Sequence, residues 1–160
     1  MQIPVEQLKE TPGEPMVFEL DASAETLDLL EEGVRFTGQV FVCLVATYHN
    51  GSVLLQGSLR TKVVLACSRC LQQFLCPLEG CFEEEVQVEE ISTLDVSDLV
   101  REHYFGVFPL KPLCRSSCLG LCVSCGTNQN EQRCDCYETP VDHRLSILKK
   151  LLSEQQHEEV

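Results

Sequence analysis

Eight of the eleven cysteines in this 160-residue chain fall into four closely spaced pairs. A pair on a tight turn holds two thiolates close together. Zinc favours four ligands in a tetrahedron, so two such pairs complete one site. The pairs therefore predict two zinc ions. The predicted ligands are Cys67, Cys70, Cys114, Cys118, Cys122, Cys125, Cys134 and Cys136.

Spacing favours one way of dividing the four pairs between two sites. The two pairs between residues 122 and 136 close within 15 residues, so their loop-closure entropy is small. The pair at 67 and 70 would then join the pair at 114 and 118 and attach the cysteine-rich segment to the rest of the chain. Gly126, directly after Cys125, suits the positive φ of a zinc knuckle. Crossed pairings stay open from the sequence alone.

The cysteine-rich segment cannot form a hydrophobic core of its own. Residues 114–136 contain six cysteines and few large apolar side chains. Structural zinc in finger peptides contributes on the order of 10–16 kcal/mol of apparent binding free energy, which is enough to order such a segment.

Three other uses of these cysteines compete with structural zinc. A redox pair at Cys67 and Cys70 would require a βαβ context that the sequence lacks. An iron–sulfur cluster would suit thiolates, but the spacings match neither common ferredoxin pattern. A catalytic zinc would require an open coordination position. The unpaired Cys43, Cys76 and Cys81 are interpreted as buried or incidental.

A long β-hairpin is the clearest predicted element. Apolar residues occupy mainly even positions over 34–48 and odd positions over 53–65, the period of half-buried strands. Asn50-Gly51 is typical of a type I′ turn between them. Such a turn pairs His49 with Ser52 and places the apolar side chains of both strands on one face.

Further elements are predicted around this hairpin. Strands are expected at 16–20 and 78–90, and helices at 95–105 and within 142–154, whereas 23–32 fits either a helix or a loop. The first helix would be capped by Asp95 or Ser97. The residues of this helix predicted to face the core are Leu99, Val100, Tyr104 and Phe105.

The predicted fold class is α+β, mainly β. We expect a small antiparallel barrel or sandwich built on the hairpin, with a zinc-stapled cysteine-rich segment and two helices. The predicted divisions are an acidic N-terminal segment (1–33), an antiparallel β domain (34–112), the zinc-binding segment (113–137), and an amphipathic helix and tail (138–160).

A formal net charge of −13 limits the partners of this chain. Nucleic-acid backbones are neutralised by Lys and Arg, and the sequence has no large basic patch. An acidic surface attracts basic proteins instead. From Glu79 to Glu102, nine acidic residues stand against one basic residue. This run indicates either a solvated face or a docking surface for a basic partner.

The sequence predicts a cytoplasmic protein. Its N-terminus has neither the basic nor the apolar region of a secretory signal, and no apolar run approaches the roughly 18–20 residues of a membrane span. Cytoplasmic thiols stay reduced, which favours metal binding over disulfides. No catalytic triad, P-loop or dinucleotide motif occurs, so neither catalytic residues nor a small-molecule substrate are predicted.

Several motifs together resemble the YceD family, the large ribosomal RNA subunit accumulation proteins. They span roughly residues 30–137. Val123 stands where the family usually has Pro, and Tyr104-Phe105-Gly106 where an aliphatic run is usual. The motifs are Cys67-Ser-Arg-Cys70-Leu71, Leu94 to Glu102, Pro112 to Cys118, Cys122-Val-Ser-Cys125-Gly126-Thr-Asn128-Gln-Asn130, and Cys134-Asp-Cys136.

The resemblance implies a role in the accumulation or maturation of large-subunit ribosomal RNA, with no established catalytic activity. The family's gene commonly neighbours that of a small basic large-subunit ribosomal protein. Joined to the net charge, this predicts a zinc-binding ribosome biogenesis factor that binds a basic ribosomal protein or a pre-ribosomal particle. Direct contact with ribosomal RNA and metal-dependent RNA processing are the alternatives.

Overall fold

A computed structural model describes residues 1–88 and 90–136 of the chain. Seven strands and two helices lie in this part. None of the helices described has the length and apolar content that a membrane span requires. The elements are β1 (Gln2–Pro4), α1 (Val5–Glu10), β2 (Met16–Ala22), β3 (Arg35–Phe36), β4 (Val40–His49), β5 (Ser52–Ala66), β6 (Gln73–Gln87), β7 (Thr93–Asp95) and α2 (Ser97–Val107).

The hairpin has the predicted register. His49 pairs with Ser52, and Tyr48 pairs with Val53. Asn50 and Gly51 have φ angles of 45° and 88°, as a type I′ turn requires. The even positions of β4 and the odd positions of β5 consequently share one buried face of the sheet.

The main sheet is open, so a closed barrel is the wrong architecture. β5 pairs with β4 and β3 along one edge and with β6 along the other, while β2 pairs with the far edge of β4. β2 and β6 therefore form the two outer edges. No pairing joins these two strands among the residues the structure describes. Hairpin periodicity alone leaves such closure undecided, because a half-buried strand has the same pattern in open and closed sheets.

One face of the main sheet carries the core. Apolar residues from β4, β5 and β6 pack there against both helices, the two-stranded sheet of β1 and β7, and the 23–32 region, which forms turns rather than a helix. The fully buried side chains of this core include Ile3, Val5, Leu8, Leu29, Leu44, Leu55, Leu59, Val63, Val100 and Tyr104.

The N-terminal residues contribute more structure than the sequence predicted. β1 pairs with β7, with Ile3 opposite Leu94, and the Val5 amide donates a hydrogen bond to the Ser92 carbonyl at 2.9 Å. α1 has only six residues and no side-chain cap. Burial of Val5 and Leu8 therefore stabilises it, rather than local propensity.

α2 begins and ends two residues later than predicted. Its N-cap position is Val96, and the Asp95 carboxylate accepts a hydrogen bond from the Ser97 amide at 2.9 Å. Val100 and Tyr104 are buried as expected. Phe105 is 45% exposed, so its predicted inward position is wrong. The second predicted helix, within 142–154, lies outside the described residues.

The absence of a side chain at Gly57 lets the ring of Phe82 pack over the middle of the sheet on its buried face. Gly57 pairs with Leu44 on β4 and Phe82 on β6, on the buried face. A Cβ atom at Gly57 would lie 2.4 Å from Cζ of Phe82 and 2.6 Å from Cδ2 of Leu44. The Phe82 ring thus occupies the space above the glycine.

Gly57→Ala is expected to lower the free energy of unfolding by about 1–3 kcal/mol, because the new methyl group overpacks the core. Denaturant unfolding in zinc-containing buffer measures the effect. Gly38→Ala is the matched control, since a Cβ there meets nothing within 4 Å. Adding Phe82→Leu should recover part of the loss. Equal stability of the Gly57 and Gly38 variants would contradict this packing.

Candidate metal centre

The loop between β5 and β6 forms a tight turn of the kind found in zinc knuckles, which we call a knuckle. The Leu71 amide donates to the Cys67 carbonyl at 2.9 Å, and the Cys67 amide donates to the Gln72 carbonyl at 2.9 Å. Leu71 has a φ of 61°, a left-handed conformation that is uncommon for a non-glycine residue. These hydrogen bonds place the Cys67 and Cys70 side chains on the same side of the turn.

The loop beginning at Cys122 repeats this knuckle. The Gly126 amide donates to the Cys122 carbonyl at 2.9 Å, and the Cys122 amide donates to the Thr127 carbonyl at 2.8 Å. Gly126 has a φ of 75° and occupies the position that Leu71 has in the first loop. The positive φ expected at this glycine is confirmed.

Eight thiols come together in two groups of four. In each group, all four sulfur atoms lie within 4.8 Å of one another. This grouping is the one that the spacing favours, with the β5–β6 knuckle joined to the first pair of the cysteine-rich segment. We call the groups the first cluster (Cys67, Cys70, Cys114, Cys118) and the second cluster (Cys122, Cys125, Cys134, Cys136).

Sulfur–sulfur distances in the first cluster fit a tetrahedral metal ion. Sγ of Cys67 lies 3.8 Å from Sγ of Cys118, and Sγ of Cys70 lies 3.8 Å from Sγ of Cys114. A Zn–S bond of about 2.3 Å gives a tetrahedral edge of about 3.8 Å. Disulfide sulfurs would lie only about 2.05 Å apart. All eleven cysteines are free thiols in the structure.

Electrostatics in the first cluster divide its thiols into two kinds. Hydrogen bonds from the backbone of Cys114 and of Cys70 lower the pKa of Cys67 to about 6. Burial and the neighbouring thiols raise the pKa of Cys114 to about 12. Four thiolates this close repel one another. A divalent cation would remove that repulsion and ionise all four sulfurs, so the donor set fits zinc.

The second cluster shows the same division. Hydrogen bonds from the side chain and backbone of Thr127 lower the pKa of Cys125 to about 6. Interaction with Cys125, together with burial, raises the pKa of Cys136 to about 12. The clusters differ in burial. Cys67, Cys70 and Cys118 are buried, whereas Cys125 and Cys136 are exposed.

Asn130 supports the first cluster through its side chain, and this role was missed in the sequence. Its Nδ2 donates to Sγ of Cys118 at 3.3 Å, and its Oδ1 accepts from the Leu119 amide at 2.9 Å. Burial alone raises the pKa of Cys118, but hydrogen bonds from the Asn130 side chain and the Gly120 backbone outweigh it and lower that pKa. The available sequence signal for this role was the position of Asn130, a polar residue in a segment with few large apolar side chains.

Arg69 holds the cysteine-rich segment against the first knuckle. Its guanidinium donates to the Cys118 carbonyl at 2.8 Å, and its own carbonyl accepts from the Leu121 amide at 3.2 Å. Gly120 has a φ of 81°, and a Cβ there would lie 3.2 Å from the Arg69 carbonyl oxygen. Glycine at 120 therefore permits the close approach of the two backbones.

Cysteines outside the two clusters lie on the sheet. Cys43 on β4 and Cys81 on β6 both pair with Ser58 on β5, so a whole strand separates them. His103 stacks on Phe82, with ring centroids 4.4 Å apart, and its Nε2 lies 3.6 Å from Oε1 of Glu84. None of these residues approaches either cluster closely enough to join its four sulfurs.

An open antiparallel sheet carrying two four-thiol clusters defines a mainly β protein whose cysteine-rich segment could hold metal ions. The chain belongs to the YceD family. The family described as Large ribosomal RNA subunit accumulation protein YceD matches residues 55–152, which is more than half of the sequence. The family resemblance of the cysteine motifs is thereby confirmed, and the family is named for accumulation of the large ribosomal RNA subunit.

A curated relative supports the same family. The chain is 30% identical over 70 residues to a protein of Arabidopsis thaliana described as Large ribosomal RNA subunit accumulation protein YCED homolog 1, chloroplastic. The aligned region covers 44% of this chain and 22% of the relative, so it spans about a fifth of that protein. No solved structure matches the chain significantly.

Elemental analysis of purified protein is expected to find two zinc ions per chain, one for each cluster. Replacing Cys122 and Cys125 with Ser should leave one ion, and limited proteolysis should then cleave the cysteine-rich segment while the hairpin stays protected. The control replaces Cys43 and Cys81 with Ser and should retain both ions. Protease resistance equal to that of the control would tell against structural zinc.

Asn130→Ala is expected to speed zinc release from the first cluster by about 10–100-fold, because the Cys118 thiolate loses a hydrogen bond. Release to a coloured chelator should show a fast phase from the exposed second cluster and a slow phase from the first. The variant should change the slow phase. Gln132→Ala removes an exposed amide from the same segment and should change neither phase.

Proposed function

We propose that this chain is a non-enzymatic, zinc-binding assembly factor that supports large-subunit ribosomal RNA accumulation by binding a basic ribosomal protein. The observation that carries the proposal is the combination of two closed four-thiol clusters with a net charge of −13. The clusters supply a fixed scaffold, and the charge determines which partners approach it. Family membership supplies the ribosomal context.

The metal in this proposal is zinc, one ion in each cluster. Zinc would supply positive charge that neutralises four thiolates and ties the segment from Cys114 to Cys136 to the β5–β6 loop. The protein supplies the geometry: two knuckles that aim their sulfurs, Asn130 on Cys118, and Phe74, Leu113 and Leu121 packed around the first cluster. A metal-bound first cluster would therefore anchor a segment that has little core of its own.

Thiolate ligation also supports a non-enzymatic role. A structural zinc site is closed by four protein ligands, whereas a catalytic site keeps one position for water or substrate. Each cluster already brings four sulfurs within 4.8 Å. A site of this composition has no position left for a reacting group.

Charge supports a protein partner over direct RNA contact. A protein that neutralises phosphates with Lys and Arg binds nucleic acid with a strong salt dependence. Only 12 Lys and Arg residues stand against 25 Asp and Glu residues in this chain. Ribosomal proteins that bind RNA carry the opposite charge, so an acidic factor is suited to hold one before it reaches the pre-ribosomal particle. We place this activity in the cytoplasm.

Proteins extracted from purified large ribosomal subunits and freed of RNA provide the test. At low salt, the immobilised chain is expected to retain a basic large-subunit protein. Its affinity should fall by about tenfold or more at about 0.5 M salt, because exposed charges are screened. Interferometry with the recovered, purified protein measures the affinity.

The alternatives give different results in the same experiment. Tight, salt-sensitive binding of large-subunit ribosomal RNA without any protein partner would favour an RNA-binding module. RNA cleavage that disappears on metal removal would favour an enzyme. Failure to retain a large-subunit protein at either salt concentration would overturn the proposed function.

A further inference from the structure

The sheet has one face that the described residues leave uncovered. The core side is buried, whereas the opposite side of β2, β4, β5 and β6 faces solvent along much of its length. We call this side the open face. Strand register places four rows of residues across it, from β2 or β4 to β6. The rows are Asp21–Phe41–Arg60–Glu79, Glu19–Cys43–Ser58–Cys81, Val17–Val45–Gln56–Glu83 and Thr47–Leu54–Glu85.

Apolar side chains occupy the centre of the open face. Phe41 on β4 is 57% exposed, and Val17 on β2 is 64% exposed. Cys43 and Val45 continue the same strip along β4 and are partly exposed. An open depression of about 560 Å³ lies beside Phe41. Exposed apolar surface grouped with a polar border is typical of an interaction site.

Carboxylates border this strip on both sides. β2 contributes Glu19 and Asp21, and β6 contributes Glu79, Glu83 and Glu85. The basic residues on the intervening strand β5 are Arg60 and Lys62. The open face therefore carries more negative than positive charge, with the acidic groups on the outer strands β2 and β6 and most of the apolar groups on β4 between them.

Tertiary structure divides the acidic run that the sequence shows from Glu79 to Glu102. Glu79, Glu83 and Glu85 lie on the open face, whereas Glu84 points to the core side, where Oε1 lies 3.6 Å from Nε2 of His103. Asp98 and Glu102 lie on α2, and Asp95 lies two residues before its start. The acidic border of the open face thus combines part of this run with β2, which is distant in sequence.

We propose that the open face docks a basic, amphipathic segment of a large-subunit ribosomal protein. This inference rests on the proposed function and identifies the surface that performs it. Lys and Arg side chains of the segment would pair with carboxylates on β2 and β6. Its apolar side chains would cover Phe41 and Val45. The charge pairs and the apolar contacts together would fix the orientation of the segment as well as its affinity.

Charge argues against other occupants. Residues 137–160 of this chain carry five acidic residues and three basic residues, so this segment has the same sign of charge as the face. A second copy brings a net charge of −13 to the same surface. RNA phosphates would meet carboxylates. A basic segment is the occupant whose charge complements the border.

Matched charge reversals test the surface. The face variant replaces Glu19, Asp21 and Glu79 with Lys, all exposed around Phe41. The control variant replaces Glu10, Glu90 and Glu102 with Lys, which are exposed outside the open face. Both raise the net charge by the same amount. We expect the face variant to bind the recovered large-subunit protein roughly tenfold or more weakly at low salt than the control.

Milder substitutions distinguish a loss of charge from a loss of folding. Glu19→Gln, Asp21→Asn and Glu79→Gln together remove the charges at nearly constant shape and should weaken binding in the same direction. Zinc content and circular dichroism should match those of the unmodified chain. A photo-crosslinking residue at Ser58, in the centre of the face, should capture the ribosomal protein. The same residue at Gln7 on α1 should not.

Results opposite to these expectations distinguish failure of the docking surface from failure of the proposed function. Equal binding by the face and control variants would overturn the inference while leaving the proposed function intact. Crosslinking from Ser58 to residues 137–160, to a second copy or to RNA would also overturn it. If the unmodified chain binds no large-subunit protein at all, the proposed function fails, and this inference fails with it.

Discussion

Mutual repulsion among closely packed thiolates is the constraint on which the cysteine-rich half of this structure depends. Each cluster holds four sulfurs within 4.8 Å, and in each the pKa of one thiol is lowered to about 6 while that of another is raised to about 12. Such a group is stable with all four thiols ionised only if a cation neutralises them. The two knuckles and Asn130 position the cysteine sulfur atoms for that arrangement. Arg69 positions the backbone of Cys118.

Because of this constraint, the sheet and the cysteine-rich segment are stabilised in different ways. The sheet has a large apolar core and needs no metal to explain its packing, whereas the segment from Cys114 to Cys136 is attached mainly through the first cluster and the hydrogen bonds of Arg69. The second cluster lies further out and is more exposed. Metal binding, in our proposal, orders the appendage, and the sheet provides the recognition surface.

Acidity and openness act together in the proposed function. In a closed barrel, the two outer strands β2 and β6 would pair with each other, and the face would have no separate borders. In this sheet, two outer strands distant in sequence bring Glu19 and Asp21 to one border and Glu79 to the other. A partner meets the apolar strip only between these carboxylates, so the charge of the partner and its apolar content are both selected.

The sequence by itself determined the elements that depend on local pattern. Strand periodicity and the Asn50-Gly51 turn predicted the hairpin register, and the spacing of Cys122, Cys125 and Gly126 predicted the second knuckle, because these interactions join residues close in the chain. Tertiary structure decided whether the sheet closes, that α1 exists, and that Asn130 reaches Cys118. Those features depend on contacts between distant segments, where burial outweighs the weak local propensities that a sequence displays.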